Sequence, residues 1–240
     1  SLLWTPRAPL EYRCSAAISA CKNAIVAGPQ DADGLWQHAV ALYAQRKQQE
    51  GATSSLDAND LVGTASALIS VFEKMGMWES ALQIFSEIQS PNRVNYITIL
   101  LALLAGDEAQ LARKLYLQSP LLSQALRPLE SLETSGIEDK ELPVTLDLHE
   151  LPVEVATLAL EVLLKDLQDP SYPSDPSDPN SEIRKSVQLH IITGHALHRS
   201  APGATGVTPR RVWQAVLSLL ETWPGVELRE PGDNPGLVSC

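Results

Sequence analysis

The chain has 240 residues, of which 44% are hydrophobic and 20% charged, with a formal net charge of −11 at pH 7. That length suits one large or two small globular domains, and no apolar run approaches the roughly 18 residues of a membrane span. Acidity concentrates beyond residue 120, with 18 acidic groups against 9 basic ones, which argues against a broad basic footprint and leaves nucleic-acid contact to local groups. The three cysteines, Cys14, Cys21 and Cys240, form neither a metal spacing nor an even disulfide set, which fits a reducing compartment. The first residue is Ser and no charged-then-apolar signal segment follows it, so a fragment or processed form is expected and no address is readable.

In chain order, residues 11 to 24 are rich in small side chains, with Ala17, Ile18 and Cys21 at helical spacing. A Gly/Pro/Asp loop at 28 to 34 precedes a second helix opening at Trp36, so the unit reads as helix, turn, helix. It then repeats. Trp36-Gln37-His38-Ala39-Val40-Ala41-Leu42-Tyr43 and Trp78-Glu79-Ser80-Ala81-Leu82-Gln83-Ile84-Phe85 share the pattern Trp-x-x-Ala-apolar-x-apolar-aromatic. A third copy keeps Ala112-Arg113-Lys114-Leu115-Tyr116. A fixed Ala lets a paired helix approach closely while the larger groups fill the space beside it, and units of this kind are stable only when stacked. Residues 119 to 141 hold Pro120 and Pro128 and end in an acidic run, predicting a final helix that passes into a linker, with a domain boundary near residue 140.

Val144 to His149 alternates as a strand, sending Leu146 and Leu148 to one face and Asp147 and His149 to the other. A helix over 152 to 167 follows, with Ala156, Leu160, Leu163, Leu164 and Leu167 on one face. Residues 169 to 182, repeating Asp, Ser and Pro, are expected to be a disordered, solvent-exposed insertion. A strand over 187 to 192 leads through a loop from Thr193 to Gly206 into a helix from Thr208 to about Trp223, with Val212, Val216, Leu219 and Leu220 inward. Short strands are predicted at 226 to 228 and 237 to 239, around Asn234-Pro235-Gly236. The order of these elements predicts a two-layer α/β sandwich over 142 to 240, behind a solenoid of helical pairs over 1 to 118 and a helical linker over 119 to 141.

Leu146-Asp147-Leu148-His149, then Thr193-Gly194-His195-Ala196-Leu197-His198, then Asn234-Pro235-Gly236, resemble in this order the landmarks of the Smr (small MutS-related) domain. The first half resembles a pentatricopeptide repeat array, in Ala67-Leu68-Ile69-Ser70, in Lys74-Met75-Gly76-Met77-Trp78-Glu79-Ser80-Ala81 and in Val94-Asn95-Tyr96. The tetratricopeptide repeat is the nearest rival, its aromatic and proline landmarks fitting less well. The Smr resemblance implies a small α/β domain that binds nucleic acid and, in some members, cuts it. The pentatricopeptide resemblance implies one RNA base selected by an early polar residue of each first helix, here Ser15, Ser66 and Ile97, of which Ile97 cannot hydrogen-bond a base. It also implies a chloroplast or mitochondrial location and no cofactor.

Phosphodiester cleavage needs a proton acceptor, a proton donor and a stabiliser of charge on the phosphate oxygens. Asp147 and His149 form the expected catalytic couple. Thr193, Gly194, His195, His198, Arg210 and Arg211 are expected to bind nucleic acid, although the two arginines oppose the dipole at a helix start. The sequence departs from the Smr pattern at Glu150, where the family has a small residue, and at Ala196, where it has a glycine. The spacing of Asp147, His149, His195 and His198 fixes no metal geometry, so no metal or cofactor is assigned and a divalent ion stays open. Three readings follow: a single-stranded RNA-binding protein whose repeats position an RNA-nicking domain, a non-catalytic RNA or DNA binder in organelle gene expression, and a tetratricopeptide-like scaffold for protein partners not identified by the sequence. None requires a membrane.

Overall fold

The computed structural model describes residues 10–28, 32–49, 57–122, 126–128, 144–168, 189–193, 208–228 and 237–239. Among these there are eight helices and four short strands, in two compact units, 1–116 and 117–240. No described helix is long and apolar enough to cross a membrane. The insertion expected at 169–182 lies outside the described residues.

The first unit consists of α1 (Leu10–Ala27), α2 (Ala32–Gln49), α3 (Asp57–Met75), α4 (Trp78–Ser86), α5 (Arg93–Ala105) and α6 (Ala109–Gln118), the last ending just past the unit boundary. Helix α1 packs on α2 and α3, and α3 packs on α4 and α5, while α2 touches α3 and α4 touches α5. That is a stack of helical pairs in which each first helix lies on the next. Helix α2 starts earlier than its loop-like opening predicts, taking in Asp33 and Gly34, and an acidic side chain in the first turn suits the positive helix end.

Ala39, Ala81 and Ala112 are all fully buried, and so, within 9% exposure, are the aromatics four residues on, Tyr43, Phe85 and Tyr116. Helical spacing puts each Ala and its aromatic on one face, so the three copies bury the same pair of positions. Phe85 meets Tyr96 of α5 edge to face, with ring centroids 5.3 Å apart.

Helices α3 and α5 end alike. Met77 N–H donates to Phe72 O after Gly76 (φ +68°), and Glu108 N–H donates to Leu103 O after Asp107 (φ +62°). Both are six-residue closures in which the penultimate residue is left-handed, a conformation that favours glycine. At the second closure Gly106 is needed for a different reason: a Cβ there would stand 2.4 Å from Trp78 Cδ1. The indole occupies the room a side chain would take.

Asn95, fully buried, joins α5 to α3. Its Oδ1 accepts Asn92 N–H at 2.8 Å, closing a capping box, while its Nδ2 donates to Val62 O at 3.2 Å and to Ser66 Oγ. Both amide protons and the oxygen are thereby used, which is what allows so polar a group to be buried.

In the second unit β1 (Leu126–Pro128), β2 (Val144–Asp147), β3 (Leu189–Ile192) and β4 (Leu237–Ser239) form one sheet in the order β1-β2-β3-β4. The β2–β3 pair is parallel and the two outer pairs are antiparallel. Helix α7 (Val153–Gln168) lies between β2 and β3 in sequence and packs on α8 (Thr208–Thr222). Their ends are tied by Gln168 Nε2 donating to Pro224 O at 3.1 Å. Leu146, Leu148, Leu189 and Ile191 of the sheet region are buried, as are eight residues of α7 and Val212, Val216 and Leu220 of α8. Helix α7 therefore buries more than the single stripe expected of it, and Leu167 and Leu219 are only half-buried.

Two expectations are corrected. Residues 126–128 form an edge strand inside the segment expected to be a helical linker, and Pro128 is tolerated there because an edge strand leaves some amide positions unpaired. Residues 226–228 form no strand: the place beside β3 is taken by β4, and among the described residues nothing pairs with them.

The core makes three stability predictions. Ala81→Leu overpacks a fully buried site and should cost roughly 1–3 kcal/mol, read by thermal melting. At the α5 closure two neighbouring substitutions should have opposite signs. Gly106→Ala should destabilise by roughly 1–3 kcal/mol through the Trp78 clash, whereas Asp107→Gly should stabilise by about 0.5–1 kcal/mol by relieving the left-handed backbone; equal signs would contradict the closure described. Tyr116 is the third case, its buried hydroxyl having no hydrogen-bond partner among the described residues. Burial pushes its phenol up to about 12. The unfolded chain ionises near pH 10, so the stability held by the neutral phenol is intact below that pH and is lost as pH rises toward 12. Tyr116→Phe should melt no lower than the parent at pH 7 and lose less stability between pH 10 and 12.

Candidate functional site at the ends of two parallel strands

Parallel pairing sets Asp147 beside Ile192, and Leu148 N–H extends the ladder by donating to Ile192 O at 2.8 Å. The carboxyl ends of β2 and β3 therefore lie side by side. In α/β sheets that edge is where ligands collect, because the chain leaves the sheet there in turns and helix starts. The alternation predicted for this stretch holds in burial: Leu146 and Leu148 are fully buried, Asp147 is half-buried and His149 exposed. The strand itself is shorter than expected, stopping at Asp147, with His149 in a turn.

Asp147 is what bends the chain. Its Oδ1 accepts the backbone N–H of His149 at 3.1 Å, the self-bonded turn that short acidic side chains favour, and the same oxygen contacts His149 Nδ1. A carboxylate accepts, so the contact is a hydrogen bond in the tautomer that carries its proton on Nδ1, which leaves Nε2 as the basic nitrogen. The arrangement resembles the carboxylate–imidazole pairs in which one nitrogen is held so that the other is aimed. The side chains of His149 and Asp147 keep 47% and 38% of their exposure, so an external ligand can reach the pair.

The turn continues through Glu150 to Leu151, whose N–H donates to Leu148 O at 3.2 Å. Glu150, its third residue, has φ +65°. A turn with positive φ at its third residue but not at its second favours glycine or asparagine at that third position. Glu150 Oε2 lies 4.0 Å from His149 Nε2. Helix α7 begins directly afterwards, with Ala156 N–H bonded to Pro152 O at 2.9 Å.

The other expected site residues are placed as follows. Thr193 directly follows β3 and is 2% exposed, so its side chain belongs to the interior of the unit. Gly194, His195, His198 and Ala196 lie outside the described residues. Arg210 and Arg211 are in the first turn of α8, with Arg211 exposed. In the first unit Ser15 is half-buried in α1. Ser66 donates to Val62 O at 3.2 Å and accepts from Asn95 Nδ2, so its only proton is spent inside the unit and one lone pair remains for any outside group. Ile97 is half-buried.

His190 is the residue a sequence reading passes over. It pairs in register with Thr145 and so shares the sheet face of Asp147, one strand away. The signal was available in Leu189-His190-Ile191, where alternation puts the histidine opposite two buried apolar groups. Among the described residues no group of three or more His, Cys, Asp or Glu side chains is placed to hold a metal ion. Burial pushes the Cys21 thiol up, which makes it a poor nucleophile. No protein-family model, no curated protein and no solved structure matches the chain.

Proposed function

We propose that the chain is a single-stranded RNA-binding protein of an organelle, in which pentatricopeptide-like helical pairs position an Smr-like α/β sandwich. The reactive pair of that domain is Asp147 and His149. The observation that carries the reading is the contact of Asp147 with Nδ1 of His149 at the carboxyl ends of two parallel strands, which leaves Nε2 to face a ligand. In cleavage, Nε2 would take the proton of the attacking hydroxyl as its oxygen bonds to phosphorus and return it to the oxygen that leaves as the other P–O bond breaks, while Asp147 would hold the ring and balance the charge that develops on it. The stack of helical pairs supports the repeat assignment, since such stacks offer an extended surface to a single strand.

A second reading, a binding domain without turnover, is favoured by one observation: the Glu150 carboxylate stands at the nitrogen that would do the chemistry. One experiment separates the two. With a labelled RNA pool, His149→Ala should lower cleavage by roughly 100-fold or more, the usual scale for losing a general acid or base, while affinity changes little. Asp147→Asn should also lower the rate by roughly 100-fold or more, because an amide can donate to Nδ1, which favours the tautomer carrying its proton on Nε2, and because the charge behind the ring is lost. If the wild type does not cleave and His149→Ala weakens binding, the domain reads RNA without cutting it. If His149→Ala alters neither, the site assignment is wrong.

A further inference from the structure

We propose that Glu150 is a specificity-determining residue of the His149 site, selecting against anionic groups at Nε2 of the imidazole. This rests on the reading that His149 faces RNA.

The argument begins with what the turn requires. Leu148 to Leu151 closes through a single backbone hydrogen bond with its third residue left-handed, and glycine or asparagine would make the same turn with less backbone strain. Closing the turn therefore does not call for a carboxylate. Yet Glu150 occupies the strained position with its Oε2 4.0 Å from Nε2, while Asp147 Oδ1 contacts Nδ1. The imidazole is bracketed by a carboxylate at each nitrogen.

The two carboxylates are not equivalent. Asp147 is tied to the turn through His149 N–H and is half-buried. Glu150 is 70% exposed, and its carboxylate is the one beside Nε2. A phosphodiester oxygen bonded to that nitrogen stands near a like charge, and for a separation on the order of 4 Å in water-like surroundings such repulsion weakens binding roughly sixfold. An uncharged donor such as a hydroxyl or a base edge meets no such penalty. Glu150 would therefore turn His149 away from phosphate oxygens and toward neutral groups of the strand.

The test uses the whole chain, a single-stranded RNA and the same oligonucleotide with uncharged methylphosphonate linkages. Glu150→Gln, which removes the charge and keeps the length, should tighten RNA binding roughly sixfold at low salt and progressively less as salt rises. Its affinity for the uncharged analogue should equal that of the wild type. Glu150→Gly should show the same gain for RNA together with a higher melting temperature. The proposal is overturned if Glu150→Gln binds RNA as the wild type does, if it tightens both ligands alike, or if only Glu150→Gly gains, which would make the effect one of backbone and not of charge. His149→Ala distinguishes the failure of the underlying reading: if RNA affinity and cleavage are both the same with and without the imidazole, His149 does not face RNA and the role given to Glu150 falls with it.

Discussion

The parallel pairing of β2 with β3 is the constraint on which the second unit depends. Parallel neighbours cannot be joined by a tight turn, so the chain must leave the sheet after Asp147 and return through a crossover, here containing α7. That departure creates the turn holding His149, and the return brings Thr193 to the same edge. Four residues of register, from Val144 beside Leu189 to Asp147 beside Ile192, thus decide which side chains can meet at the site. A slip of one residue would exchange Leu146 and Leu148 with Asp147 and His149 between core and surface, so burial of the two leucines and exposure of the two polar side chains are one requirement.

The two units use polar side chains in different ways. In the first, Asn95 is buried with each of its hydrogen-bonding groups engaged, and it draws Ser66 into the same node. A buried amide so satisfied fixes the register of α5 against α3 and engages the Ser66 hydroxyl in the same node. In the second unit, Asp147 stays half-exposed and its bonds stay within three residues, so the turn is locally determined while the imidazole remains open to solvent. The bonds of Asn95 run across the fold, whereas those of Asp147 stay within a turn.

The sequence makes some of this legible and hides the rest for identifiable reasons. Ala39, Ala81 and Ala112 are readable because close helix approach demands a small residue, and the demand recurs with the same aromatic four positions later. The alternation of Leu146 to His149 is readable because strand period and burial are locally coupled. Asn95 is not, since its burial depends on Val62 and Ser66 some thirty residues earlier. Residues 126–128 carry a proline that reads as a breaker, and only their partner strand shows that they lie at an edge. The end of β2 is hidden in a different way. Nothing in the alternating pattern shows that the Asp147 carboxylate will capture the next-but-one amide and stop the strand, or that a glutamate will accept a backbone region usually left to glycine.

The contact of Trp78 with Gly106 has a consequence for how the first unit opens. The indole comes from the start of α4 and the glycine from the end of α5, so the contact ties the second helix of one pair to the first helix of the next. In a stacked array, stability is divided between each pair and its borders, and a border that interlocks makes neighbouring pairs open together. Amide protons of α4 and α5 would then exchange with solvent through a shared opening, and thermal fraying that reached either helix would release both.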